Sequence, residues 1–151
     1  MLERGHRLIA DDVVKIRKRE ESYLEGSVIE LTRHHMEIRG IGIINVANLY
    51  GAICVRDSKR LDVSVYLEAW DDNHDYDRVG LEERFIEMLN VKVPSYVLPV
   101  KPGRDVALLL ETIALNHRLK QMGYHSARDF RKSLQTTISE KSARKRMRLK
   151  K

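Results

Sequence analysis

A chain of 151 residues is expected to form one domain, long enough to bury most of its surface. With 33% charged and 42% apolar residues, no signal-peptide pattern and no apolar run near the ~20 residues of a membrane helix, a soluble, non-membrane protein is expected. The net charge of +6 comes from one end: seven of the 28 basic residues lie in the acid-free stretch Lys141 to Lys151, so the body has 21 basic against 22 acidic residues and lacks the basic face of a nucleic-acid binder.

In chain order, Arg7-Leu8-Ile9-Ala10 runs into Asp11-Asp12 as an apolar strand ending in acids. Val13 to Ile16 alternates and continues it or forms a second short strand, so Leu8 to Ile16 is expected to be extended. In nucleotide-hydrolysing folds an acid delivered this way holds Mg²⁺, often through water. Adjacent strand residues face opposite sides, so Asp11 and Asp12 should have different jobs unless the chain turns there. A pair of exposed turn acids is the competing reading.

Glu20 to Gly26 is polar, a loop or hairpin, and Val28 to Leu31 is ambiguous. His34 to Ile38 then leads into Met36-Glu37-Ile38-Arg39-Gly40-Ile41-Gly42-Ile43-Ile44-Asn45, the stretch around which the chain is organised. Gly40 and Gly42 allow a turn through positive φ or a close approach to a ligand. Arg39 offers a planar fork for phosphate or carboxylate, and Glu37 a hard oxygen for Mg²⁺. A loop for a phosphorylated species and its metal fits, and a plain turn between two buried segments fits as well. Asn45 stands where a dinucleotide fingerprint needs its third glycine, which excludes that motif. His34 and His35 are adjacent on an extended segment and should point apart, against a zinc site.

Ile43 to Tyr50 is expected to be a short buried helix ended by Gly51, and Leu61 to Leu67, with its period of two, a strand. Cys54 is alone, so no intrachain disulfide forms and a reducing cytoplasm fits. Asp71 to Gly80 is an acidic loop. It nearly writes a calcium site with Asp71, Asn73, Asp75 and Glu82, but Tyr76 replaces the required glycine and no helix precedes it. Arg78, a lone cation there, is a candidate to be held by carboxylates for use elsewhere. Val97 to Val100 is a short strand closed by the Pro102-Gly103 turn. Lys101 and Arg104 flank that turn just before a helix, a plausible phosphate site against the alternative of a solvated turn. Asp105 caps a helix from Val106 to Met122 whose apolar face is Val106, Leu109, Leu110, Ile113 and Ala114, with Gly123 as C-cap. Ser126 and Asp129 form a variant capping box for a second helix carrying Phe130, Leu134 and Ile138. No G-x-S-x-G nucleophile motif and no G-x-x-x-x-G-K-[ST] phosphate loop occurs.

Taken together these pieces resemble the bacterial HPr kinase/phosphorylase family. Arg4 to Asp12 resembles the segment after that family's phosphate-loop helix, and Met36 to Asn45 its signature. Glu68 to Gly80 resembles its Trp-Asp and Tyr-Asp-Arg segment, and Pro99-Val100-Lys101-Pro102-Gly103-Arg104 its Pro-Gly-Arg motif. The similarity runs from about Arg4 to Ile138, so residues 1–138 are expected to be the C-terminal part of the catalytic domain and 139–151 a basic, disordered tail.

The resemblance implies an α/β fold, a P-loop kinase core similar to phosphoenolpyruvate carboxykinase with C-terminal helices, assembled into a hexamer in the cytoplasm. It implies a kinase for a serine of HPr, the phosphocarrier of the sugar phosphotransferase system, using ATP or pyrophosphate with Mg²⁺. The reverse reaction uses inorganic phosphate. Residue by residue, Asp12 matches the proton-transferring acid, Glu37 a Mg²⁺ ligand with Asp11 beside it, and Arg78 an active-site arginine. Pro99 to Arg104 matches the segment needed for dephosphorylation, with Lys101 and Arg104, like Arg39, counted among the catalytic residues, while Met36, Ile38, Gly40, Ile41, Gly42, Ile43, Ile44 and Asn45, with Pro99, Val100, Pro102 and Gly103, match the phosphate- and substrate-binding positions. The family's phosphate loop has no counterpart in this chain, which is expected to be a fragment or a shortened relative. A rival reading makes the chain a non-catalytic docking module for HPr or a kinase partner, its basic tail engaging RNA or another polyanion.

Overall fold

Alternation and turn chemistry account for most of the local structure of the chain. The computed structural model describes residues 1–20, 22–77 and 80–148, with side chains through Lys141. It is a mixed α/β protein of eight short strands and three α-helices among the described residues.

Strands β1 (Lys15–Arg19) and β2 (Tyr23–Ser27) form an antiparallel hairpin with Arg17 opposite Glu25 and Lys18 opposite Leu24. Residues alternate across the pleat, so Leu24 turns inward to 1% exposure while Glu25 turns outward and accepts from the Arg19 guanidinium at 2.9 Å. Of the polar stretch, Tyr23 to Gly26 thus lie in the second strand of a hairpin. β5 (Ser58–Arg60) pairs antiparallel on the other side of β2.

The strand expected over Leu8 to Ile16 is not formed as such. Leu8 makes a single parallel bridge to Val55, through Leu8 N–H to Cys54 O and Arg56 N–H to Leu8 O, both 2.8 Å. Asp11 and Asp12 lie in a bend, and regular pairing begins only at Lys15. The acids belong to a bend, a setting that suits Asp better than the interior of a strand.

A second hairpin joins β3 (His35–Ile38) to β4 (Gly42–Asn45). The helix expected from Ile43 to Tyr50 is therefore shorter: Asn45 ends the strand and caps helix α1 (Val46–Tyr50), its Oδ1 accepting from Asn48 N–H at 3.0 Å. Of its apolar residues Val46 is fully buried, whereas Ile43 is 75% exposed and Leu49 62%, so this is not a buried helix. Gly51 ends it as expected.

β6 (Ser64–Ala69), β7 (Arg84–Met88) and β8 (Val91–Val100) form a sheet in the order β6-β8-β7. β6 starts three residues later than the alternation predicts, and β8 is longer than the expected Val97 to Val100. No strand is expected at 84–88, yet β7 pairs along β8 from Arg84 opposite Ser95 to Met88 opposite Val91. The two-residue turn carries positive φ at both Leu89 and Asn90 (50° and 60°), the twist a tight hairpin prefers.

Helix α2 (Val106–Gln121) agrees with the sequence. Asp105 Oδ1 accepts from Leu108 N–H at 3.0 Å, capping the first turn. At the other end Gly123 N–H reaches Lys120 O and Tyr124 N–H reaches Leu119 O, both 3.0 Å, closing a Schellman motif on a left-handed glycine. Ala114, placed on the inner face by periodicity, is exposed, while His117, one turn beyond Ile113, is the buried polar residue of the helix. Helix α3 (Ser126–Arg148) starts at Ser126 itself, so Ser126 is its first residue rather than its cap. It runs past residue 138 as far as Arg148, over a stretch rich in Lys and Arg, good helix formers.

The chain divides into two compact units, Met1–Tyr66 with Arg84–Leu98, and Leu67–Glu83 with Pro99–Lys151. In the first, Leu24, Val46, Val93 and Leu98 are buried. In the second, Glu83 takes Lys120 and Arg128, each at 3.7 Å, tying the end of α2 to the start of α3. Among the described residues no helix is long and apolar enough to cross a membrane.

Candidate functional site

The signature stretch is a strand–turn–strand. Ile41 N–H donates to Ile38 O at 2.9 Å, and Gly40 at the third turn position has φ 87°, as a type II turn requires. Gly42 follows with φ 103°, so both glycines are used for backbone conformation. In β3 the half-buried Met36 and Ile38 alternate with the exposed Glu37, and Arg39 is exposed on the turn. Ile41 and Ile43 are exposed, Ile44 and Asn45 half-buried. A hairpin projecting an exposed carboxylate and guanidinium two residues apart is what remains of the loop the sequence predicts.

One contact joins the acid turn to this hairpin: Glu37 N–H donates to Asp11 Oδ2 at 2.9 Å. Its logic lies in the strand pairing. Val46 N–H donates to His34 O at 2.8 Å, which makes His35–Asn45, and two residues on Glu37–Ile43, pairs that do not bond each other. The Glu37 amide therefore points away from β4, off the edge of the hairpin, and Asp11 meets it. Asp12, next in the chain, is exposed. The two acids thus do have different surroundings, through a turn rather than through opposite faces of a strand. Asp11 and Glu37 are the carboxylates here of the kind that could hold Mg²⁺, but the bond between them engages the Glu37 backbone rather than its carboxylate. Among the described residues no group of three or more His, Cys, Asp or Glu is placed to hold a metal. The two histidines diverge: His35 Nδ1 lies 2.7 Å from Arg33 O, and His34 Nε2 lies 3.5 Å from Asp57.

The second constellation lies in the other unit and centres on a residue to which sequence reasoning gave no role. Trp70 N–H donates to Val100 O at 2.9 Å and its indole N–H to Asp72 Oδ1 at 2.8 Å. Lys101 Nζ lies over the indole, 4.3 Å from the ring centroid, and the Arg104 guanidinium at 5.6 Å. Arg104 also donates to Pro99 O across the Pro102–Gly103 turn. The acidic loop is self-bonded: Asp71 N–H donates to the Tyr76 hydroxyl, and Asn73 N–H to Asp71 Oδ1, both at 2.9 Å. Tyr76 packs against Trp70 at 4.9 Å between centroids and against His74 at 4.6 Å. The signals in the sequence that point to this centre are the single tryptophan of the chain, placed before an acidic run, and the resemblance of Glu68 to Gly80 to the family's Trp-Asp segment. Arg78, the remaining sequence candidate, lies outside the described residues.

The chain is a mixed α/β protein that carries an exposed carboxylate on one hairpin and two cations on one turn, and comparison with known proteins defines its class. Residues 1–134 match the family described as the HPr Serine kinase C-terminal domain, and the chain belongs to that family. It is 51% identical over 134 residues to the HPr kinase/phosphorylase of Caldanaerobacter subterraneus subsp. tengcongensis, covering 89% of this chain and 44% of that protein. Against the HPr kinase/phosphorylase of Leptospira biflexa it is 48% identical over 144 residues, covering 94% of this chain and 45% of the relative. The chain thus spans somewhat under half the length of these relatives. The solved Hpr(Ser) kinase/phosphatase from Coxiella burnetii is similar in structure, with a TM-score of 0.75 at 34% identity over 85% of this chain and 78% of that one.

Proposed function

We propose that this chain supplies the acid, metal-binding and phosphate-binding residues of a cytoplasmic HPr kinase/phosphorylase. That enzyme phosphorylates a serine of the phosphocarrier HPr with ATP or pyrophosphate and removes the phosphate by phosphorolysis. The family match over residues 1–134 carries the reading, and the bond that brings the acid turn to the signature hairpin supports it. In this reading the chain is part of a P-loop kinase core similar to phosphoenolpyruvate carboxykinase and works as a hexamer. The many exposed apolar side chains, such as Leu115, Phe130 and Ile138, are consistent with surfaces covered on assembly.

Asp12 is the proton carrier. Ionised, it accepts the proton of the serine hydroxyl as the oxygen attacks phosphorus. Protonated, it returns that proton to the serine oxygen when inorganic phosphate attacks phosphoserine and pyrophosphate forms. Its exposure leaves it open to a substrate side chain. Glu37 and Asp11 would hold Mg²⁺, which when bound neutralises and orients phosphate oxygens. Arg39 and Arg78 neutralise charge that spreads over the transferring group, and the signature backbone around Gly40 and Gly42 lets phosphate approach closely. Lys101 and Arg104, on the Pro99 to Arg104 segment, hold the attacking inorganic phosphate.

The test is to place this chain in the Caldanaerobacter relative in exchange for the matching segment, and to measure both reactions on HPr. The exchanged protein should phosphorylate and dephosphorylate. Asp12→Asn should slow both reactions about 10²–10⁴-fold, because the amide keeps the size but cannot carry the proton. Lys101→Ala and Arg104→Ala should depress phosphorolysis while kinase activity largely survives. If Asp12→Asn spares either direction, the shared-proton role is wrong. If the cation variants lose both reactions equally, the turn is not specific to inorganic phosphate.

A further inference from the structure

Two like charges at the ends of a four-residue turn, Lys101 to Arg104, repel each other, and a lysine on such a turn is free to swing into solvent. Here both cations are collected by one aromatic ring: Lys101 Nζ sits 4.3 Å and the Arg104 guanidinium 5.6 Å from the indole centroid of Trp70, inside the range of cation–π attraction. The ring is held on three sides. Its own backbone N–H is bonded to Val100 O, its indole N–H to the Asp72 carboxylate, and Tyr76 packs 4.9 Å away. The hydrogen bond to a carboxylate pushes electron density into the indole, which strengthens its hold on cations. Arg104 is steadied further by its bond to Pro99 O.

We propose that Trp70 is a positioning residue that pre-arranges Lys101 and Arg104 for one inorganic phosphate, and that both cations stay on the ring while phosphate binds their outer side. The proposal rests on the assignment of that turn to phosphate, and adds that the affinity is set by an aromatic ring that never touches the ligand. The indole offsets the mutual repulsion of the two cations and restricts the lysine, so less is lost when phosphate orders them. Cation–π contacts at exposed sites are each worth a factor of a few in an equilibrium constant, so removing the aromatic face should weaken phosphate binding about fivefold.

The experiment is a calorimetric titration of the whole chain with inorganic phosphate, in chloride buffer without divalent cations. The proteins compared are the unsubstituted chain, Trp70→Leu, Trp70→Phe and Lys101→Ala. Trp70→Leu keeps an apolar side chain without a π face and should bind about fivefold more weakly. Trp70→Phe restores the face and should bind within about twofold of the unsubstituted chain, a rescue that a merely structural role would not show. Since Trp70 is the single tryptophan, its emission in the unsubstituted chain should shift with the same half-saturation as the heat. That measurement decides the matter even if Trp70→Leu does not fold. If phosphate binds and Lys101→Ala abolishes it, yet Trp70 emission is unchanged, the positioning role is overturned and the phosphate assignment stands. If Trp70→Leu and Trp70→Phe fold and bind alike, the positioning role also fails. If the unsubstituted chain takes up no phosphate, both fall.

Discussion

Asp11 offers the sharpest test of how this site is built. Its Oδ2 accepts the Glu37 amide at 2.9 Å, and that amide points off the free edge of β3 with no partner on β4. Asp11→Ala returns the amide to water. Both residues are exposed, so the loss is that of a charge-assisted bond in contact with solvent, about 1.4 kcal/mol, rather than the larger penalty of a buried orphan. Amide exchange of Glu37, followed residue by residue by NMR, should therefore accelerate about tenfold while exchange in α2 is unchanged. Asp11→Asn keeps an acceptor oxygen of the same reach without the charge. A neutral bond is about half as strong, so exchange should accelerate only about threefold. A parallel Mg²⁺ titration separates the two jobs proposed for this carboxylate: Asn should retain part of the Glu37 protection but lose Mg²⁺ affinity as fully as Ala does. Unchanged Glu37 protection in Asp11→Ala would refute the hydrogen bond as the link between acid turn and hairpin. Equal loss of protection in Asn and Ala would show that charge, not the acceptor geometry, holds them together.

Gly42→Ala should destabilise the chain by about 1–2 kcal/mol in a denaturant titration. Its φ of 103° suits only glycine, although a Cβ there would meet nothing within 4 Å; a neutral result would mean the hairpin relaxes to another conformation. Asp105→Ala removes the Leu108 N–H acceptor at the start of α2 and should cost about 1 kcal/mol of stability, with Asp105→Asn recovering most of it. ATP with Mg²⁺ should bind this chain weakly and in a salt-sensitive way by calorimetry, since the sequence contains no G-x-x-x-x-G-K-[ST] cradle. Micromolar affinity would reveal a phosphate site built from other residues.

Sequence and tertiary structure divided the information along physical lines. Features whose cause is local were legible in the chain itself. The cap Asp105, the span of α2, the left-handed Gly123 and the glycine turn after Arg39 all follow from backbone conformations and orphan amides a few residues away. The family was legible for a related reason, because its motifs are short runs whose residue types serve one chemistry. Strand partners were not legible. Nothing near Leu8 announces that Val55 will take only one bridge of it, and nothing in 84–88 announces β8 as its neighbour, because pairing is decided by residues far along the chain. The same holds for the site: that Asp11 meets the Glu37 amide depends on which edge of the hairpin is left unpaired, and that Trp70 collects Lys101 and Arg104 depends on a backbone bond to Val100, thirty residues away. Residue types and local turns are properties of the sequence, whereas the contacts that give a carboxylate or a tryptophan its role exist only once distant segments have been brought together.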